Sequence, residues 1–416
     1  MSFPLFLALK YLKPKRSVTS VVTIFSIVGV LLGVAIMIIV RAVMTGFGDL
    51  WLEKILAFKP HVEIQANTCA TGTRVITREN ELRRKIEAVP GVAAVSPAVT
   101  TRVLVEYNGG VLAPVVIGYD PETATNMIPF AAGSIAGAFD LEGDSVMVGS
   151  VFAKMLNIRV GAQILVYSPM NLVTNRNEIY FAEELTVTGI FATGQTQFDS
   201  DFILVSLPLA RDLAGLERGA YSIHVKTDDP RDEKRFRRTC AEIENAVGLQ
   251  RYDLSTWHEA DREFFTAIAV EKNMMSLLLA FITIVAIFCV TNTVIVTTVQ
   301  KTNEIGLLKS LGFSSGQICL TFVLYGFVQC MVGILLGVGA AFLVLTNLNN
   351  ILEFLRHFNP NIFSPAVYGL DELPWRISFA EVCQVALIVL GCCELVAAIF
   401  AWRAARLDPI EALRKE

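Results

Sequence analysis

The sequence predicts a membrane protein: an α-helical bundle of four transmembrane helices, with a large α+β domain inserted between helices one and two. Three observations predict it. Of 416 residues, 53% are hydrophobic and only 18% charged, and the mean hydropathy is +0.54, too apolar for an ordinary soluble protein. The excess is gathered into four stretches, about Val18–Met44, Met274–Val299, Ile318–Thr346 and Ser378–Trp402. Between the first two lie about 225 residues of mixed composition, ample for one or two folded domains.

Residues 1–17 form a cytoplasmic N-terminus and 18–44 the first span. A helix crosses about 30 Å of hydrocarbon with about 20 apolar residues, and all four stretches reach that length. Core helices are shorter, about 10–14 residues, and carry a polar face. No charged residue occurs from Asn273 to Gln300 or from Ser310 to Asn350. The first stretch is also longer than the apolar region of a signal peptide, and no small-residue cleavage site follows it. Arg41 and Gly46–Gly48 stand where cleavage would fall, so the span is expected to be retained.

Residues 45–269 are the inserted domain, and they carry a weak internal repeat. A strand at His61–Gln65, a helix at Glu79–Val89 and a strand at about Val92–Val105 form one unit. A strand at Tyr221–Lys226, a helix at Arg231–Val247 and a strand at Tyr252–Ser255 form the other. In both helices apolar residues recur at helical spacing (Leu82, Ile86, Val89; Phe236, Cys240, Ile243, Val247) opposite a charged face. Two βα units so far apart suggest one split α/β subdomain. Between them, over about 110–216, lies a strand-rich insertion with β-type runs at Val146–Val148, Gln163–Tyr167, Leu185–Phe191 and Phe202–Val205. Ser168–Glu183 reads as a projecting loop or hairpin, either a binding element or a disordered tip.

Span two follows at 270–300, a cytoplasmic segment at 301–316, span three at 317–347, an external loop at 348–377, span four at 378–403 and a cytoplasmic tail at 404–416. The loop, rich in proline and aromatics, is expected at the membrane surface. Basic residues set the orientation. The termini and the 301–316 segment carry ten basic against four acidic residues, whereas 45–269 carries 21 against 29. Both termini therefore face the cytoplasm and the inserted domain faces away.

Little points to catalysis. Gly312–Gly316 lacks the lysine of a phosphate-binding loop. His258 and Glu259 begin like a zinc-protease helix, but Arg262 replaces the second histidine. No catalytic, cofactor or metal site is expected, and a sequence pI near 5.8 gives no footing for nucleic acid. Six of eight cysteines lie in the spans; Cys69 and Cys240 lie in the inserted domain, and their spacing leaves a disulfide open. Glu394 is the acidic residue within a span and is expected to be paired or partly solvated. Arg41 can reach the membrane surface.

Two features concern assembly. Gly29 and Gly33 in span one, and Gly333 and Gly337 in span three, are four apart and allow close helix approach. Lys301–Gly312 would form a short helix stopped at Gly312, with Ile305, Leu308 and Leu311 on one face. Such a helix can dock in a partner's groove or lie on lipid.

With these residues in view, the chain resembles the LolC/LolE-type permeases of lipoprotein-releasing ABC transporters, within the wider MacB/FtsX-like permease class. The likeness runs along nearly the whole chain: Ala8–Leu12, Gly29–Val34, Val43–Phe47, Val89–Val92, Thr188–Phe191, Phe198–Asp201, Glu271–Met275, Gln300–Gly312 and Arg403–Arg414. Thr45 and Phe400 depart from the family's usual asparagine and proline. The resemblance implies a periplasmic domain and a non-catalytic subunit of the bacterial inner membrane. Its partners would be two copies of a separate ATPase holding ATP and magnesium, a second permease subunit as homo- or heterodimer, acylated lipoproteins, membrane lipid and a periplasmic lipoprotein carrier. It implies ATPase coupling through Glu304, Ile305, Leu308, Lys309, Leu311 and Gly312. A carrier-binding hairpin would use Pro169, Met170, Asn171, Leu172 and Arg176, and lipoproteins would enter beside Val40, Met44, Phe47, Phe265, Ile268, Met274 and Met275. The alternatives are another permease of the class, exporting peptides or small molecules or regulating wall hydrolases, and a membrane sensor without transport.

Overall fold

The computed structural model describes residues 18–128, 135–168, 182–248, 250–300, 307, 310–358 and 373–405. In chain order the elements are α1 (Val18–Phe58), β1 (Val62–Ala66), α2 (Thr68–Thr71), α3 (Glu79–Glu87), β2 (Val92–Arg102), β3 (Leu104–Tyr107), β4 (Gly110–Leu112) and β5 (Val115–Tyr119). Then come α4 (Pro121–Met127), β6 (Ile135–Gly137), β7 (Ser145–Gly149), α5 (Ser150–Leu156), β8 (Gln163–Tyr167), β9 (Glu183–Phe191), α6 (Thr196–Asp201), β10 (Phe202–Ser206) and α7 (Leu207–Ala214). The chain continues through β11 (Ser222–Thr227), α8 (Glu233–Val247), β12 (Tyr252–Thr256), α9 (Trp257–Ala260), α10 (Arg262–Gln300), α11 (Ser315–Thr346), α12 (Leu348–Phe358) and α13 (Phe379–Ala405).

Two compact units result: residues 50–266, and the long helices before and after them. Within the second unit, α1, α10, α11 and α13 are each long and apolar enough to cross a membrane. They share one core, to which α1 gives Val30, Val34 and Ile38, α10 Val290 and Val294, α11 Cys330 and Ile334, and α13 Val389 and Ala397.

The helix ends differ from the apolar stretches. Helix α1 continues well past Met44 and α10 begins before residue 270. Hydropathy marks the part of a helix that suits lipid, not where the helix stops. Neither Gly46 nor Gly48 adopts a positive φ, and the first proline after the span is Pro60, which disfavours helix at Lys59. The expected 348–377 loop likewise begins with a helix, α12, because its prolines all lie beyond residue 358.

In the inserted unit, the expected repeat is the first part of a twelve-stranded sheet of order β12-β1-β11-β2-β5-β10-β7-β9-β8-β3-β4, with β6 on β9. The strand pairs β12-β1, β1-β11 and β11-β2 are antiparallel. The units β1-α3-β2 and β11-α8-β12 therefore interleave as a split βαβ pair. Their inward residues Ile64, Val95, Ile223 and Val225 pack with Ile86, Phe236 and Ile243 of the two helices. The strand β2 pairs β11 up to Ala98 and β5 from Ala98 onward, passing the sheet to the insertion. There Val116, Val146, Ile164, Leu185 and Ile203 build a second core under α5 and α7.

Candidate functional site

Four surfaces bear on function. The first is the helix packing. A Cβ on Gly333 would fall 2.7 Å from Val30 Cβ, and one on Gly337 2.9 Å from the Leu31 carbonyl oxygen, so both admit α1 against α11. On the other side of α1, a Cβ on Gly29 would meet Cys289 Sγ at 2.8 Å and one on Gly33 would meet Ala286 Cβ at 3.3 Å. One helix is thus held on two sides through four missing side chains. Nearby, Tyr325 is fully buried, and its hydroxyl lies 2.8 Å from Thr23 Oγ1, 3.4 Å from Thr297 Oγ1 and 3.3 Å from Gln329 Nε2. This polar tie joins α1, α10 and α11 where no water competes. It escaped the sequence reading because single Thr, Tyr and Gln residues in an apolar run carry no positional signal. Glu394, expected to be paired or partly solvated, has its Oε1 enclosed without a hydrogen-bond partner among the described residues. Arg41 Nη2 donates to Gln384 Oε1 at 3.4 Å.

The second surface is an exposed apolar face of the bundle. On α10, Met274, Leu277, Leu278, Phe281, Val285 and Phe288 are all more than half exposed. Their spacing of three and four residues makes one continuous apolar stripe. Met274 is thus open and Met275 half-buried, while Val40, Met44, Phe47 and Ile268 are half-buried. Phe265 instead belongs to an aromatic group in the inserted unit, stacked 4.8 Å from His258 and edge-on at 5.1 Å to Trp257. The stripe beyond Met275 was legible in the sequence from the spacing of Leu277, Phe281, Val285 and Phe288.

The third surface is the turn before α11. Glu304, Ile305, Leu308 and Lys309 lie outside the described residues. Leu307 and Leu311 are 57% and 68% exposed, and Leu311 N–H donates to the Leu307 carbonyl at 3.1 Å. Gly312 follows at φ +93, a left-handed conformation that ends the helical turn and that a side chain would strain. Ser314 and Gln317 then form a reciprocal capping box that starts α11. Leu307 and Leu311 therefore stand in the open just before a firm stop at Gly312 and the capped start of α11. The expected hairpin residues Pro169, Met170, Asn171, Leu172 and Arg176 also lie outside the described residues, in the connection between the antiparallel strands β8 and β9.

The fourth surface is in the inserted unit, where α1 ends. Lys226 on β11 is buried, and its Nζ donates to the carbonyls of Leu56 at 2.6 Å, Ala57 at 3.0 Å and Lys59 at 2.7 Å. These are the orphan acceptors of a helix C-terminus, where a cation also suits the helix dipole. His61 completes the cap: Nε2 donates to the Leu56 carbonyl at 3.2 Å, while Nδ1 accepts from Thr227 N–H at 2.9 Å. The acceptor role of Nδ1 requires a neutral imidazole, and burial together with the Lys226 charge pushes His61 down to about 4. Phe58 stacks on Phe198 at 4.9 Å, and Lys59 pairs with both oxygens of Asp261 at 2.6 and 2.7 Å.

Beside this joint is a cleft of about 940 Å³ lined by Phe58, Arg74, Arg102, Tyr119 and Trp257. On its floor Tyr119 Oη lies 2.9 Å from His224 Nδ1, and His224 Nε2 lies 3.5 Å from Glu63 Oε1. Burial raises Glu63, but hydrogen bonds from His224, Gln65 and Ser222 outweigh it and hold the carboxyl at about 2. Each member satisfies its neighbour, which makes a rigid polar floor. No cluster of metal-binding side chains occurs among the described residues. Cys69 is exposed and Cys240 is buried on the inward face of α8, and the two are unpaired.

Comparison with known proteins adds to this geometry. Residues 23–242 match the MacB-like periplasmic core domain and 276–409 the FtsX-like permease C-terminal domain. The lipoprotein-releasing system transmembrane protein LolC of Neisseria meningitidis is 26% identical, over all of both chains. LolE of Haemophilus influenzae is 26% identical over 99% of each chain. Among solved structures, the periplasmic region of MacB from Actinobacillus actinomycetemcomitans matches 51% of this chain and 96% of its own at 11% identity and a TM-score of 0.34. The extracellular domain of YknZ from Gram-positive bacteria matches 47% of this chain and 99% of its own, at 12% identity and the same TM-score.

Proposed function

Because the chain belongs to the LolC/LolE-type permeases of the MacB/FtsX-like class, we propose that it draws outer-membrane-destined lipoproteins out of the inner membrane and hands them to a periplasmic carrier. The observation that carries this reading is the full-length likeness to both LolC and LolE relatives, with the periplasmic domain between the first two spans. Two permease subunits, identical or different, pair through their spans above two copies of a separate ATPase. That ATPase docks at the 301–316 segment, where Leu307 and Leu311 present their side chains. Lipoproteins enter between spans, and the open α10 stripe at Met274–Phe288 suits acyl chains. ATP-driven movement of the helices then displaces the substrate through the periplasmic domain.

Energetics favour an external motor. Withdrawing acyl chain costs about 0.8 kcal/mol per CH₂, so a multiply acylated protein needs more than thermal agitation. Within the inserted unit, Lys226, His61 and the Lys59–Asp261 pair hold the last turn of α1 against the sheet.

Mild-detergent purification followed by mass spectrometry tests the reading. An ATPase together with acylated lipoproteins is the expected result. An ATPase without lipoproteins would transfer the weight to another exporter or a division complex, and recovery of neither would end the transporter reading.

A further inference from the structure

Beyond Leu348, helix α12 keeps an apolar face that no core among the described residues covers. Leu348, Ile351, Leu352, Phe354, Leu355 and Phe358 occupy one continuous arc of roughly half the helix circumference, opposite Asn350, Glu353 and His357. Ile351 is 38% exposed, Phe354 65% and Phe358 71%, and the last two rings meet edge-on at 5.1 Å. A helix of 11 residues is marginal in water unless something covers such a face.

Its position says what covers it. Leu348 packs in the bundle core together with Ile377, and Asn349 Oδ1 accepts from Leu373 N–H at 3.1 Å. The segment that holds α12 is therefore the one that opens α13. There Trp375 and Phe379 are exposed, and Arg376 N–H donates to the Ala42 carbonyl of α1 at 3.0 Å. Exposed aromatics at the start of a span mark the edge of the hydrocarbon. Helix α12 thus begins at the membrane boundary, directly after α11 ends, with Ile351, Phe354, Leu355 and Phe358 of its arc exposed.

We propose that α12 is a membrane-surface helix. It lies in the headgroup–acyl boundary of the non-cytoplasmic leaflet, with Ile351, Leu355 and Phe358 among lipid and Glu353 and His357 toward water. The choice of leaflet rests on the permease reading above; docking on lipid does not. If that reading holds, the helix gives the transporter a shallow foothold in the leaflet from which lipoproteins are drawn.

The test places an environment-sensitive fluorescent amino acid at Ile351, Leu355, Asn350 or His357 of the full chain. Each variant is purified as the assembled complex and placed in nanodiscs of phosphatidylethanolamine and phosphatidylglycerol, with acyl chains spin-labelled at shallow or deep carbons. Expected are blue-shifted emission at 351 and 355, quenched several-fold more by shallow labels than by deep ones, and water-like emission at 350 and 357. Water-like emission at all four positions would overturn the proposal. So would a blue shift at 351 and 355 that spin-labelled lipid does not quench, since protein would then cover the face. Shallow quenching in a complex that releases no lipoprotein would sink the release reading and leave the lipid docking standing.

Discussion

Lys226 shows how one residue changes meaning between sequence and structure. Along Ser222–Thr227 the apolar residues Ile223 and Val225 alternate with His224 and Lys226, a pattern that reads as core side against water side. The lysine is instead buried at 6% exposure, because α1 runs on to Phe58 and brings its last carbonyls to that face. Replacing it, as in Lys226→Met, leaves those buried acceptors unmet and is expected to cost about 2–3 kcal/mol. Hydrogen exchange should quicken at the amides near the helix end and stay unchanged in the remote insertion core. His61 adds a pH dependence. Its folded value near 4 is below the usual 6.5, so the unfolded chain binds more protons between the two. The stability it contributes is complete above 6.5 and drains away as pH falls toward 4. Glu63, held at about 2, contributes stability that is complete above 4.5 and is lost below that. Thermal unfolding in detergent should therefore weaken from pH 7 to pH 4, and His61→Gln should flatten the limb above 4.5.

At the scale of elements, helix packing supplies a sharper contrast. Gly333 and Gly339 lie on the same helix, yet a Cβ on the first collides with Val30 and one on the second meets nothing within 4 Å. Gly333→Leu is expected to destabilise the bundle by about 1–3 kcal/mol through overpacking. Gly339→Leu should be nearly silent, and melting of the two variants in detergent decides the point. The glycine spacing was visible in the sequence, but which neighbour each glycine admits was not. Span three receives α1 at Gly333 and Gly337, and α1 receives α10 at Gly29 and Gly33. The spacing of a motif fixes a face and leaves the partner open. Helix α12 was missed for a related reason: Pro360, Pro365 and Pro374 coloured the whole 348–377 segment, although all of them follow the helix.

For the whole molecule, the proposed function separates two contacts that single substitutions can tell apart. Leu311→Asp places a charge on the exposed apolar turn. It should abolish co-purification of the ATPase while leaving the spans folded and carrier binding intact. Deleting residues 169–181 should do the reverse, keeping the ATPase and losing the carrier. Pull-down with each partner measures both, and loss of both partners from either variant would mean that the two surfaces are not independent.

The sequence by itself determined the membrane class, the four spans and the place of the inserted domain, because hydropathy and charge bias are additive properties of local stretches. It also determined the two βα units, since apolar periodicity in Leu82, Ile86, Phe236 and Ile243 needs no partner to be read. Only the tertiary structure decided that β11 slips between β1 and β2, that Lys226 closes the end of α1, and that Tyr325 ties Thr23 to Thr297. Each of these depends on groups far apart in the chain meeting where water is excluded. A lone polar residue in the sequence does not reveal which distant partner will satisfy it.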